Sequence, residues 1–289
     1  MSIQGCTVSA LLVFYNKKQV APVLAEWPNS RKPSLVLQSW REQFDVEVKK
    51  VKALRADQIS LAHDSKYVRD ILSCRTKNGF GNTLKSIAST LPWTTGSMAS
   101  AAVYALQNQC NTFSPTSGFH HAGYAHASGL CTFSGLTITG ILLKNNHGAK
   151  RVGILDLDSH FGDGTLATMT RTGADSFMTQ YSLGEENVHR GNNAQWLTTL
   201  PDLIRDLFSS CSILLYQAGV DCHQDDPLVD SGHFTSEQIY QRDRIVYATC
   251  RTLSLPVVTN LAGGYQRPLD KVLRLHDLCA KAHLDVLAS

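Results

Sequence analysis

The stretch RVGILDLDSHFGDG, residues 151–164, decides how this sequence folds. Its opening, residues 151–158, is an apolar run that ends in acids and is too short for a helix. Apolar side chains at successive positions mark a strand buried on both faces. Upstream, residues 134–148 carry a helix-like pattern that stops at Gly148. The same unit recurs. SILLYQAG (212–219) follows a short helix expected to begin near Pro201. LPVVTNLAGG (255–264) follows a stretch from Ser236 with apolar positions at helical spacing. A last amphipathic helix is expected over 268–287, with Pro268 in its first turn. Residues 8–15 (VSALLVFY) read as a first buried strand. Strand and helix in alternation predict an α/β fold: one three-layer αβα domain over residues 1–289 with a central, mostly parallel sheet. Functional groups in such sheets gather just beyond the strand ends.

Composition excludes several classes of function. The 289 residues are 43% hydrophobic and 18% charged, with a net charge of only +3. The basic doublets Lys17-Lys18 and Lys49-Lys50 are isolated, so no nucleic-acid arm is expected. No apolar run is long enough to span a bilayer, and the basic residues follow the apolar segment 8–15 rather than precede it, unlike a secretory signal. Eight cysteines at 6, 74, 110, 131, 211, 222, 250 and 279 form no C-x-x-C pair. Scattered thiols fit a reducing compartment, and the cytoplasm is the expected location.

Four clusters carry the chemistry, three of them directly after the predicted strands. In Asp156-Leu157-Asp158-Ser159-His160 the alternate residues share one face of an extended segment, bringing two carboxylates and an imidazole together. That set at a buried strand end is costly unless a cation or partner groups compensate, and mixed carboxylate and imidazole donors suit Zn²⁺ or Fe²⁺ better than Mg²⁺ or Ca²⁺. A lone Asp or His there would more often be a cap or a loop hydrogen bond. Residues 219–227 (GVDCHQDDP) offer Asp221, His223, Asp225 and Asp226, and spacing does not choose among them; by itself such a turn is commonly just solvated. The tandem His120-His121 could polarise or deprotonate water beside a metal. Gly263-Gly264-Tyr265 lets the backbone approach a ligand and offers a hydroxyl to a developing oxyanion.

Together these clusters resemble the histone deacetylase and acetylpolyamine amidohydrolase family, which has an arginase-like α/β fold. The matching segments are HHA and ASGLC within 120–131, DLDSHFGDG at 156–164, YSL at 181–183, QAGVD and DDP within 217–227, and GGY at 263–265. Residues 63–68 (HDSKYV) and 78–82 (NGFGN) look like family segments too. The pairing of GGYQR at 263–267 with QRDRIVY at 241–247 is closest to the class IV-like branch. The resemblance implies a metal-dependent amidohydrolase acting on N-acyl-lysine, acetyl or longer. It assigns the zinc (or ferrous iron) to Asp158, His160 and Asp226. His120 and His121 would flank the attacking water, with His121 the general base, and Asp156 and Asp163 would orient them. Tyr265 would hold the oxyanion. Gly129, Leu130, Gly263 and Gly264 would line the channel, and main-chain oxygens of Asp156, Asp158 and His160, with Ser182 and Leu183, would form an inner potassium site.

The sequence departs from the family pattern in places. Phe161 stands where many relatives have a second His, and Leu130 replaces a common aromatic. Segment 184–211 is short, which predicts a more open pocket, one that a neighbouring subunit could complete in an oligomer, and tolerance of acyl groups bulkier than acetyl. His126 and His223 read as loop residues, and His189 as a loop residue with a lesser claim to touch substrate. Two alternatives stand beside the deacylase: a deacetylase of a small acylated amine such as an acetylpolyamine, and a catalytically idle acyl-lysine binder. Retention of every site residue argues against the idle form. An arginase-like binuclear manganese site is weaker, because only one ligand set is apparent.

Overall fold

The computed structural model describes residues 10–21 and 28–289. The ends of two expectations, Cys6 among the thiols and Val8 in the first apolar run, lie outside them. The described chain forms a seven-stranded sheet in the order β2-β1-β3-β7-β6-β4-β5. Its strands are β1 (Leu11–Phe14), β2 (Val46–Lys49), β3 (Thr112–Ser114), β4 (Val152–Asp156), β5 (Met178–Ser182), β6 (Ile213–Gly219) and β7 (Val257–Ala262). Every pairing is parallel. Of the four strands predicted from apolar runs, the run at 8–15 contains β1, and the other three are β4, β6 and β7. They are central, and every residue in them is buried. The polar strands β2 (VEVK) and β5 (MTQYS) form the sheet edges, where one side lacks a neighbour and the apolar signal is weak.

Eight helices of eight residues or more occur among the described residues: α1 (Lys32–Gln43), α2 (Ser65–Leu72), α3 (Leu91–Asn108), α4 (Gly135–His147), α5 (Asp163–Thr172), α6 (Asn193–Phe208), α7 (Ser236–Thr252) and α8 (Asp270–Ala288). They cover both faces of the sheet. On β6, Leu214, Tyr216 and Ala218 join a core containing Ile204, Phe208 and Tyr247, whereas Ile213 and Leu215 join one containing Met98, Ala102 and Leu142. That alternation is the strand period of two, so this is a three-layer αβα fold. Local signals set several boundaries. Gly148 caps α4 in the left-handed region at φ 74°. Thr235 Oγ1 accepts from Gln238 N, and Gln238 Oε1 accepts from Thr235 N, a capping box that starts α7. The helix expected to begin near Pro201 is different: α6 starts at Asn193, with Pro201 inside it. Leu197, Leu200, Ile204 and Phe208 bury one continuous stripe, and that burial outweighs the hydrogen bond the proline cannot make.

One core position sets a measurable acid sensitivity. His283 of α8 is buried between Phe113 and Tyr247, ring centroids 5.1 and 5.0 Å away, and neither of its nitrogens has a hydrogen-bond partner. Burial lowers its pKa from 6.5 to about 4. The folded protein therefore refuses a proton that the unfolded chain accepts, so the stability this group supports falls as pH drops from about 6.5 to about 4, by about 3 kcal/mol in all. His283→Leu is expected to raise the melting midpoint at neutral pH by a few degrees and to flatten this slope, read from thermal melts across pH.

Candidate active site

All four chemical clusters sit at the carboxyl ends of four adjacent strands, β3, β7, β6 and β4, on one edge of the sheet. The chain leaves each strand there into a loop: His120-His121 after β3, Asp156 to His160 at the end of β4, residues 220–226 after β6, and Gly263 to Tyr265 after β7. His120, Asp158, Gly129, Leu130, Gly263 and Tyr265 line a common cavity of about 80 Å³.

Two histidine–carboxylate pairs define one side of it. His120 Nδ1 lies 2.9 Å from Asp156 Oδ2, and His121 Nδ1 lies 2.7 Å from Asp163 Oδ1. Each carboxylate fixes the Nδ1–H tautomer of its ring and leaves Nε2 pointing away from it. Asp156 is fully buried, and its other oxygen accepts from Asp158 N and Gln217 Nε2 at 3.1 and 3.0 Å. The two rings lie 4.0 Å apart. Burial works against a charge on His120, but Asp156 and Asp158 overcome it and raise its pKa to about 9.

Facing the histidines is a donor cluster. Ligand atoms of Asp158, His160 and Asp221 all lie within 4.8 Å of one another. His160 Nδ1 is 3.1 Å from Asp158 Oδ1 and 3.2 Å from Asp221 Oδ2. The hydrogen bond to Asp158, with the nearby Asp221 carboxylate, raises the His160 pKa to about 11. Asp221 Oδ2 is buried and makes no hydrogen bond, although it lies 3.2 Å from His160 Nδ1. An orphaned carboxylate oxygen beside a second carboxylate and an imidazole is the donor set a divalent transition metal fits. A bound cation would pull the raised histidine values down. Asp226 borders this group. Its Oδ2 accepts from Tyr265 N at 2.7 Å and its Oδ1 from Leu228 N at 3.0 Å. Burial, reinforced by Asp221 and Asp158, raises its pKa to about 6 despite those two backbone bonds. Of the three acids in the β6 loop, Asp221 is thus the one gathered with Asp158 and His160, while Asp226 ties the cluster to the Tyr265 loop. Burial and the nearby carboxylates push the Tyr265 hydroxyl far above its usual range, so it remains a donor.

A family model, the histone deacetylase domain, matches residues 28–183. The chain belongs to the histone deacetylase family. The match begins just before α1 and takes in the His120-His121 and Asp158–His160 segments. An uncharacterised protein from Picosynechococcus is 29% identical over 191 residues, covering 61% of this chain and 62% of that one. The chain spans less than two thirds of that relative's length. The fold matches the solved HDA15 HD domain with a TM-score of 0.74 and 19% identity over 97% of this chain and 90% of that one. An acetylpolyamine aminohydrolase from Burkholderia pseudomallei matches with a TM-score of 0.67 and 16% identity, over 95% and 98%. These two likenesses establish the arginase–deacetylase architecture.

Other expected residues fall into place around this deacetylase-family site. Gly129 (φ 49°) and Leu130 (φ 63°) make a left-handed turn over the cavity. A Cβ on Gly129 would lie 2.4 Å from His121 Cδ2, so only glycine lets the loop close on that ring. Gly129→Ala is expected to displace His121, lower turnover about 10²-fold and lower the melting midpoint by only a few degrees; a circular-dichroism melt beside an activity assay checks it. Gly263 (φ 51°) presses on Asp221 in the same way, its Cβ position 2.1 Å from the carboxylate carbon. Gly264 shares the left-handed conformation at φ 91°. Of the residues expected around a potassium ion, Asp156 of β4 pairs in register with Ser182 of β5, and Leu183 follows, buried, at the turn that packs Gly184 against His160.

The segments at 63–68 and 78–82 hold the two ends of the loop that carries Gly129 and Leu130. Buried His63 bonds Gly123 O through Nδ1 at 3.0 Å and accepts from Ser134 N through Nε2 at 2.8 Å. Tyr67 donates to Thr132 O, and Gly79 N to Thr132 Oγ1. His223 accepts from Asp225 N and donates to Ser236 Oγ, a loop role. His189 accepts from Gly191 N in the turn before α6, and exposed His126 packs its ring against Gly123.

Sequence reasoning missed two residues. Lys32, at the start of α1, is 1% exposed and donates from Nζ to Gly263 O at 2.6 Å. Burial lowers its pKa to about 8, against Asp221, Asp158 and Asp226, which raise it. A lysine at a helix start reads as surface, and nothing in its neighbourhood marks it otherwise. Arg242 is fully buried on α7, and it did carry a signal. Ile239, Arg242, Val246 and Cys250 share the helical spacing of an apolar face.

Proposed function

We propose that this chain is a zinc-dependent lysine deacylase that hydrolyses the amide of N-acyl-lysine. The observation that carries the reading is the pair of carboxylate-oriented imidazoles beside the Asp158–His160–Asp221 cluster, with His120 and Asp158 lining the same cavity as Tyr265. Asp158, His160 and Asp226 would hold the metal, with Asp221 the competing third donor because its free oxygen already points into the cluster. Zinc, when bound, would supply Lewis-acid polarisation of the amide carbonyl and an acidic water.

The chain's own residues do the rest. His121, on the more exposed side with its Nδ1 held by Asp163, takes the proton of the attacking water at Nε2. The same proton is returned to the departing lysine amine as the carbon–nitrogen bond breaks. His120, buried on Asp156, stays a hydrogen-bond donor toward the attacked carbonyl side. The Tyr265 hydroxyl donates to the oxygen on which charge develops. Gly129 and Leu130 flank the lysine stem. Main-chain oxygens of the Asp156–His160 segment and the Ser182–Leu183 turn would take a potassium ion below the site.

The test is mass-spectrometric hydrolysis of acetyl-, butyryl-, octanoyl- and myristoyl-lysine peptides and acetylated polyamines by zinc-loaded protein. Turnover of peptides supports the deacylase. Preference for polyamines would move the substrate to small acylated amines, and silence across the panel with zinc bound would leave an idle relative. The preferred chain length reads whether segment 184–211 opens the pocket. Among the described residues no helix is long and apolar enough to cross a membrane.

A further inference from the structure

The donors of the proposed metal site come from two strand ends, β4 for Asp158 and His160 and β6 for Asp221 and Asp226. They converge on one ion only while those ends keep a fixed spacing. Arg242, on α7, lies where that spacing is set. Its Nη1 donates to Gly219 O at 2.7 Å and to Leu157 O at 3.2 Å, and meets Cys222 Sγ at 3.0 Å. Leu157 immediately precedes Asp158, and Gly219 stands two residues before Asp221. One nitrogen therefore joins the exits of both strands. Behind it, Nε donates to Asp243 Oδ1 at 2.8 Å, and Tyr216 OH donates to the same oxygen. All three side chains are fully buried.

The plainer reading is a buried ion pair that stabilises the core. Such pairs are weak sources of stability, and well-packed apolar side chains of similar volume often replace them without loss. An apolar group could fill this volume, but it could not bind two carbonyls. Asp243 neutralises the guanidinium, so the pair adds no net charge to the acid cluster, and what it supplies there is geometry. We infer that Arg242 is a positioning residue for the metal centre: it clamps the β4 and β6 exits so that the carboxylates of the two loops meet one ion. This rests on the proposed metal site. Arg242 touches neither substrate nor a donor atom, which separates it from the residues assigned above.

The test compares wild type with two variants of the whole chain. One replaces the buried polar trio together (Arg242→Met, Asp243→Leu, Tyr216→Phe), and the other is Arg242→Lys, which keeps the charge but reaches fewer acceptors. Zinc affinity is read by competition with a chromophoric chelator, and ligand geometry by the visible absorption of the Co²⁺-substituted protein. The trio variant is expected to melt near wild type when metal-free, yet to bind zinc about 10- to 100-fold more weakly with an altered cobalt spectrum. Arg242→Lys should fall between. Unchanged affinity and spectrum in either folded variant would overturn the inference, and so would failure of both variants to fold, which makes the residue one of folding alone. If wild type itself binds neither ion, the site reading falls and takes this inference with it; that case is recognised because it shows before any variant is made.

Discussion

His121→Ala is expected to fold like wild type and lose about 10²- to 10⁴-fold in turnover, the usual range for a positioned general base. The side chain is only half-buried, and its one strong partner is exposed Asp163, so the fold gives up little when it goes. The loss should sit in kcat rather than KM, because the imidazole acts on the proton and not on the acyl-lysine stem. Tyr265→Phe should show the same pattern at about 10²- to 10³-fold, the cost of one oxyanion donor. Its backbone N–H bond to Asp226 survives the substitution, so the loop and the donor cluster stay in place. Near-normal turnover in either variant would remove the assignment of roles. A loss confined to KM in His121→Ala would turn that residue from a base into a binding group.

Much of this arrangement was legible because the central strands announce themselves. β4, β6 and β7 are apolar on both faces, and each ends where the chain turns polar, so strand ends and chemical residues could be read together. The edges were not legible. β2 alternates valine with charge and β5 mixes Thr and Gln with its apolar residues, as suits strands with one unpaired side, while the interior strand β3 is only three residues long and too short to show a pattern. The start of α6 was hidden by Pro201, a residue that ordinarily opens a helix and here lies inside one. In the site, the alternation of Asp156, Asp158 and His160 carried real geometric information, since an extended segment puts alternate residues on one side. The β6 loop carried none, because Asp221, His223, Asp225 and Asp226 lie in a turn whose conformation sequence does not fix. Lys32 was illegible because burial of a lone lysine depends on a partner, Gly263 O, 231 residues away.

The choice between Asp221 and Asp226 as third metal donor has a direct readout. Asp158→Asn should abolish tight zinc binding and cut turnover on the order of 10³-fold or more, since this residue is common to both ligand sets. If Asp226 completes the set, Asp226→Asn should match it in zinc affinity, while Asp221→Asn should lose only about 10- to 100-fold, as a supporting group does. The reverse order would make Asp221 the ligand, in keeping with its closer approach to His160. Stability gives an independent check. The folded pKa of Asp226 is raised to about 6, above its ordinary 3.8, so the metal-free protein loses stability from this group as pH rises through about 6. Asp226→Asn removes that penalty and should raise the metal-free melting midpoint at pH 7 while weakening the zinc-bound form. A substitution that stabilises the empty fold and destabilises the loaded one is what a carboxylate kept for a metal should show, because burial, reinforced by Asp221 and Asp158, penalises its charge and a cation bound between them would offset that penalty.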